Sequence, residues 1–282
     1  MTGAQVPRTG MPPVAHHTRP AAHAPRLPTP EEAPATVAPA PATVAPALAA
    51  VAPGAPAALL ATLEAALADA LDDSAAQWLD TARCSVAGAP AALAALYPAA
   101  GRQCGRGPIA PPRSGAPHHR HPQWTVADAV RALLLAALPM AGEELAAQAT
   151  ACYRHGDAEE RIAVLRALPL LDVGALGVPL VEDALRTNDT RLVAAAVGPY
   201  AASHLGQDAW RHAVLKCLFT GIPLTAVARI DERTDAELVR MLRDFADERR
   251  AAGRPVPPEI ASLTEPFAPA RPVRTAARSE AE

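Results

Sequence analysis

Aromatic residues are scarce in this chain, with three Trp, three Tyr and three Phe among 282 residues. A core must therefore be assembled from Ala, Leu and Val, whose small side chains each bury little area and so require close helix packing. Lysine is scarcer still: Lys216 is the only one, and every other fixed cation is arginine. The four cysteines, Cys84, Cys104, Cys152 and Cys217, stand far apart without a C-x-x-C pair. Neither a disulfide framework nor a zinc site follows from that spacing, and reduced thiols in the cytosol are expected. The chain contains no Gly-rich phosphate loop, no H-E-x-x-H and no G-x-S-x-G. The expectation is no catalytic residue, no metal and no cofactor. A net charge of −3 and a pI near 6.3 supply no basic face for nucleic acid. The first residues lack a basic-then-apolar signal layout, and Met11 is a second candidate start. No charge occurs from Ala33 to Leu63, but Pro34, Pro39, Pro41, Pro46, Pro53 and Pro56 interrupt that run, so no transmembrane helix is expected.

Composition divides the chain into three parts. Residues 1–54 form a Pro/Ala tract in which Ala-Thr-Val-Ala-Pro-Ala occurs at 35–40 and 42–47, with no aromatic residue and no periodic apolar face. A disordered or polyproline-like segment is expected there. Residues 55–262 carry helical periodicity throughout, and residues 263–282 read as a disordered tail. Inside the helical part, Gly101 to Gln123 is rich in Gly, Pro and basic residues, including His118-His119-Arg120-His121, and reads as a flexible basic loop.

The fold class expected is all-α. Leu59, Leu60, Leu63, Ala66, Leu67 and Leu71 mark a first helix, Ser74 is placed to cap a second containing Trp78 and Leu79, and Pro90 opens a third that runs to Tyr97. Further helices are expected at roughly 126–138, 142–155, 158–168, 179–187, 190–204, 208–220 and 235–251. Asp157 with Glu160 and Thr234 with Glu237 have the spacing of capping boxes, while Gly156 and Gly253 suit C-terminal caps. Leu138-Pro139, Leu168-Pro169 and Gly198-Pro199 recur at 30-residue intervals after apolar runs. Such a period is the signature of stacked helix pairs, an irregular α-solenoid of HEAT-like units, with a compact helical bundle as the alternative.

The stretch from Glu182 to Arg191 concentrates ionisable and capping residues between two apolar runs. Glu182 and Arg186 stand one turn apart and suit a pair, and Thr187, Asn188 and Asp189 offer oxygens to the next helix start. Read this way the stretch is a well-capped corner. Its second reading is a binding surface made by Arg186, Asn188, Asp189 and Arg191. Tyr200 and His204 lie one turn apart and join that candidate surface or the edge of the core. On the next helix His212 and Lys216 share a stripe with Asp208 and Thr220, opposite an apolar face of Trp210, Ala213, Val214, Cys217 and Leu218. His155, at a helix C-terminus, suits the dipole.

The strings Tyr153 to Gly156, Leu165 to Leu171, Val178 to Tyr200 and Trp210 to Pro223, with Tyr97-Pro98-Ala99-Ala100-Gly101-Arg102, resemble the EboA family of metabolite traffic proteins. The resemblance covers about residues 57–262. It implies a genetic neighbourhood of a UbiA-like prenyltransferase, a TatD-like hydrolase and related enzymes that move a metabolite precursor toward the periplasm. No chemistry is assigned to that family, so no catalytic residue carries over. The leading expectation is a non-enzymatic helical adaptor or carrier, cytoplasmic and peripheral at the inner face of the membrane, whose partner is a protein of the same gene cluster or a small-molecule metabolite. The alternative is a subunit of an enzyme complex whose site forms only with partners, using Lys216, His204 or His155 as acid or base. A third reading makes the basic 102–121 loop a contact for anionic membrane surfaces.

Overall fold

The computed structural model describes residues 56–109 and 124–267. The expected disordered tract at 1–54, the His118–His121 tip and most of the expected tail lie outside those residues. Thirteen α-helices make up the described chain: α1 (Pro56–Ala68), α2 (Asp73–Gly88), α3 (Leu93–Gln103), α4 (Val126–Ala136), α5 (Gly142–His155), α6 (Ala158–Ala167), α7 (Val178–Arg186), α8 (Thr190–Ala196), α9 (Pro199–His204), α10 (Gln207–Thr220), α11 (Ile230–Arg233), α12 (Ala236–Ala251) and α13 (Glu259–Thr264). Among the described residues there is no strand, only an isolated antiparallel bridge between Pro108 and Thr125. The fold is all-α, as its periodicity requires.

Local chemistry sets most of the boundaries. Asp157 and Glu160 form the expected capping box at the start of α6, and Thr125 with Asp128 form another at α4. Pro179 sits in the first turn of α7, where no N–H is missed. The α12 helix ends at Ala252 and Gly253, whose φ of 65° lets Arg254 N–H reach the Arg249 carbonyl. Gly221 does the same for α10, with Ile222 N–H on the Cys217 carbonyl. Gly156 differs from expectation: its backbone is extended, and glycine is required because a Cβ would lie 2.6 Å from the Cys152 carbonyl oxygen and 2.7 Å from Glu160 Cβ.

Several expectations are corrected. Asp72 caps α2 rather than Ser74, and Asp235 caps α12 rather than Thr234, since each accepts from the N–H three residues on. The expected 190–204 helix is two helices, because Pro199 lacks the N–H that would continue α8 and starts α9 instead. In contrast, Pro98 lies within α3, which runs to Gln103, so the irregular segment begins at Cys104. Its two ends are pinned together by Ile109 N–H to the Trp124 carbonyl and Val126 N–H to the Gly107 carbonyl. The short helices α11 and α13 went unread in the sequence; the second buries Ile260 and Leu263.

Packing follows an alternating order. Helix α4 is buried along nearly its whole length and is touched by α1, α2, α3, α5 and α6. From there α4 packs on α6, α6 on α8, α8 on α10 and α10 on α12, while α5 and α7 pair with α6 and α8. The three prolines at 30-residue intervals stand just beyond α4, α6 and α8. Several helices meet α4, and beyond it alternate helices touch in succession. Ala100, Ala129, Ala132, Ala163, Ala167 and Ala184 are fully buried in these contacts. Such small side chains let the helix axes approach closely, which is how a chain poor in aromatics fills its core.

Candidate functional site

The corner between α7 and α8 is built from the end of one helix and the cap of the next. Asp189 caps α8 by accepting from Arg191 N–H, and its carboxylate also receives the Arg191 guanidinium at 3.1 Å. That side-chain bond from Arg191 is the main reason the Asp189 carboxyl titrates below its ordinary range. Thr187 turns its hydroxyl back to the Ala184 carbonyl, and Asn188 is exposed. Arg186, with 69% of its side chain exposed, pairs with Asp183 at 3.4 Å rather than with Glu182. Asp183 is the hub of the corner. It also accepts from the Tyr153 hydroxyl and from Arg161, both at 2.9 Å, while the Arg161 guanidinium lies 4.4 Å from the Tyr153 ring centroid. Tyr153 comes from α5, Arg161 from α6 and Asp183 from α7, so one carboxylate joins three helices.

The other candidate residues form separate local groups. Tyr200 is buried, its hydroxyl donating to the Gly174 carbonyl and accepting from Gly177 N–H. Exposed His204 stacks on that ring at 4.5 Å between centroids. On α10, exposed His212 lies 2.7 Å from the Asp208 carbonyl and Thr220 bonds the Lys216 carbonyl, so two members of the stripe bond within their own helix. The Lys216 ammonium, half-buried, has no ion-pair partner among the described residues. Arg186 thus pairs with Asp183, Arg191 with Asp189 and Tyr200 with His204, and no hydrogen bond or ion pair joins Arg186 to Arg191 among the described residues. No hydrogen bond or ion pair connects any of them to His212 and Lys216 among the described residues.

Sequence reading missed the charged residues of the interior. Arg131 is 1% exposed and Asp128 3% exposed. Arg131 donates through Nε to the Tyr97 carbonyl at 3.2 Å and through Nη2 to Glu160 at 3.4 Å, with the Tyr97 ring 5.6 Å from its guanidinium. Tyr97 in turn donates its hydroxyl to the Glu160 carbonyl at 3.0 Å. Asp128 pairs with Arg166. These contacts tie α3, α4 and α6 together. A signal existed: Arg131, Arg161 and Arg191 recur at the 30-residue period of the prolines. A second unforeseen network surrounds Arg233. Its guanidinium donates to the carbonyls of Ala201, Ala202 and Leu205 at the end of α9 and to Gln207, over the Trp210 ring at 4.8 Å. Arg211 and Gln207 both bond Asp235, which links α10 to the start of α12.

The titratable groups move away from reactivity. Burial raises the Cys152 and Cys217 thiols to about 12 and Cys104 to about 11, so each stays protonated near neutral pH. Burial also raises Tyr97, Tyr153 and Tyr200. Among the described residues no group of three His, Cys, Asp or Glu side chains is placed to hold a metal ion. No helix there is long and apolar enough to cross a membrane. At the α7–α8 corner the exposed guanidinium groups of Arg186 and Arg191 are each held by a carboxylate, Asp183 and Asp189 respectively.

Nothing among curated proteins or solved structures matches the chain. The family described as metabolite traffic protein EboA matches residues 59–265, which contain the central helix α4, the Asp183 hub and the corner. With most of its length inside that match, this chain belongs to the EboA family of metabolite traffic proteins.

Proposed function

We propose that this protein is a non-enzymatic helical adaptor or carrier within an Ebo-type traffic system, using the α7–α8 corner to hold a sibling protein or a metabolite during hand-off toward the membrane. The observation that carries the reading is the Asp183 hub. Three helices converge on one carboxylate that is 44% exposed and that receives both Arg161 and Arg186; Asn188 and Arg191, a few residues along the chain, are exposed. Surface guanidinium groups held in place by a partner lose less entropy on binding than free ones. The Cys152 and Cys217 thiols, raised to about 12 by burial, are not activated as nucleophiles near neutral pH. The precursor is a prenylated or similar secondary metabolite, and the station of the protein is the cytoplasmic face of the membrane.

The test is affinity purification of the full chain from its native host, beside a variant carrying Arg186→Ala, Asn188→Ala and Arg191→Ala. The wild-type chain should retain a product of a neighbouring gene or a small molecule, and the variant should lose it with an unchanged thermal midpoint. Retention by the variant would overturn the site.

A further inference from the structure

We propose that the C-terminal end of α9, with Gln207 and the Trp210 ring, is a guanidinium site that the chain closes with its own Arg233 and that an arginine side chain of a partner enters when α11 swings out. The site shares no residue with the α7–α8 corner and does not depend on the role of that corner.

The last carbonyls of a helix have no partner within it, and they carry the negative end of its dipole. At α9 these groups face a cation. Arg233 Nη1 donates to the Ala201 and Ala202 carbonyls at 3.0 Å each, and Nη2 to the Leu205 carbonyl at 2.9 Å. Gln207 Oε1 accepts from Nη2 at 2.8 Å and from Nε at 3.3 Å. The Gln207 amide is itself oriented, since its Nε2 donates to the Arg233 carbonyl and to Asp235. Trp210, 1% exposed, lays its ring 4.8 Å from the guanidinium carbon. All three nitrogens of the fork are read, over an aromatic face. An ammonium, with its donors on one atom, does not match acceptors spread in this way, so the site selects arginine over lysine.

The acceptors are built into packed helices, whereas the occupant is held against two costs. Every group that Arg233 touches is neutral, and it makes no ion pair among the described residues; the nearby Asp235 carboxylate is taken by Arg211 and Gln207. A half-buried cation without a counterion recovers little of its desolvation, and burial, followed by the charge of Arg229, lowers the Arg233 guanidinium from its ordinary value. The second cost is backbone strain. Helix α11 is a single turn of four residues, none of them fully buried, and it is entered through Arg229 at φ 54°, a left-handed conformation unfavourable for a residue with a Cβ. Displacing the turn relieves both. It is bracketed by fixed points, Ala228 N–H on the Val197 carbonyl and Asp235 on Arg211, so α11 moves without carrying α8 or α10 with it. Nε1 of Trp210 is buried without a hydrogen-bond partner, a donor that Arg233, having no acceptor on its guanidinium, leaves unused.

Hydrogen–deuterium exchange on the full chain tests this, with N-acetylarginine amide as the probe and N-acetyllysine amide at the same concentration as the control. The arginine probe should speed amide exchange over Ile230–Asp235 by about threefold or more while α8 and α10 keep their rates, and the lysine probe should leave all of them unchanged. Arg233→Ala empties the site: its thermal midpoint should rise with methylguanidine and not with methylammonium, while the wild-type midpoint stays in place. Arg229→Gly removes the strain that favours release, so about threefold or more arginine probe should be needed for the same acceleration. Equal action of the two probes on the wild-type chain would reduce the effect to nonspecific charge and overturn the proposal. Unchanged exchange at α11 with the arginine probe would make Arg233 a fixed structural tie and overturn it too, even with the alanine variant rescued by methylguanidine. If Arg233→Ala does not fold, the wild-type exchange measurement decides by itself.

Discussion

Truncating Arg131 to Ala should destabilise this protein by about 3–5 kcal/mol, because it leaves the Glu160 carboxylate without its cation in the interior. The two side chains are only 2% and 12% exposed and meet at 3.4 Å. The truncation also strips the Nε bond from the Tyr97 carbonyl and opens space beside the Tyr97 ring. Yet the pair is not fully satisfied: Arg131 Nη1 is buried without a hydrogen-bond partner among the described residues, as is Nε of Arg166 in the neighbouring pair with Asp128. A buried ion pair with unused donors recovers little of its desolvation cost. The double change Arg131→Met, Glu160→Gln should therefore fall within about 1 kcal/mol of wild type or exceed it. Glutamine retains the bond to Asp157 N–H that Glu160 makes in the capping box. Urea unfolding near pH 7 reads both variants, with the midpoint moving and the slope constant. In thermal melts the Ala variant should lose about 6–20 °C, at roughly 2–4 °C per kcal/mol for a domain of this size. If Arg131→Ala stays within about 1 kcal/mol of wild type, the interior pair does not hold α4 to α6. If the Met/Gln variant loses as much as the Ala variant, the ion pair is itself a net source of stability and the desolvation argument fails.

Further outcomes follow from individual sites. Gly177→Ala should cost about 1–3 kcal/mol, since a Cβ would lie 2.8 Å from Leu168 Cδ2 and 2.9 Å from the Tyr200 hydroxyl that its own N–H bonds; guanidinium melts measure it. Gly206→Ser should instead stabilise by about 0.5–1 kcal/mol, because the position has open space, a negative φ and no side-chain cap at the start of α10. With an Ellman-type reagent at mildly alkaline pH, exposed Cys84 should react at once, whereas Cys152 and Cys217, raised to about 12, should react only on unfolding. The same thiols make stability pH-dependent. Folded values above the unfolded ones mean a contribution that is complete below the unfolded range, near 8.5, and lost as pH rises toward about 12. Asp235 acts at the other end: Arg211 holds its carboxyl well below the ordinary range, so its contribution is present above the unfolded value of about 3.9 and lost as pH falls. Asp235→Asn should flatten the acid limb of a stability–pH curve.

Elements were legible in the sequence wherever one residue type dictates them. Leu59, Leu63 and Leu67 at a spacing of four, the Asp157–Glu160 box and the Trp210-to-Leu218 face each appear in the structure as read. Misreadings arose where two residues compete for one role. Asp72 and Ser74, or Thr234 and Asp235, both carry capping oxygens, and the tertiary position of the helix start selects between them. Glu182 and Asp183 compete for Arg186 in the same way, and Tyr153 and Arg161 fix Asp183 on the side where Arg186 reaches it. The interior charges were illegible for a different reason. In a helix as short as α4, Asp128 and Arg131 resemble solvated residues, and only burial on all sides by α1, α2, α3, α5 and α6 makes them interior. The Arg233 network was beyond reach, since it joins helix ends from 201 to 235 through carbonyls that carry no sequence identity.

The arginines at the 30-residue period show how one structural position is turned from cohesion toward contact. Arg131 on α4 is sealed in the interior with Glu160. Arg161 on α6 is 27% exposed and divides its donors between Tyr153 and Asp183. Arg191 on α8 is 61% exposed and, among the described residues, pairs only with its own cap, Asp189. Since α4, α6 and α8 touch in succession, this is a gradient along one direction of packing. Stability is concentrated at its buried end, where a broken pair costs several kcal/mol, whereas exposed pairs contribute about 0–1 kcal/mol each. Charge reversal at Arg191 or Arg186 therefore leaves folding nearly unchanged while altering what the surface attracts. Change at Arg131 does the reverse. The 30-residue spacing of these arginines places the same side chain at three depths, so that stability and surface charge are carried by different residues.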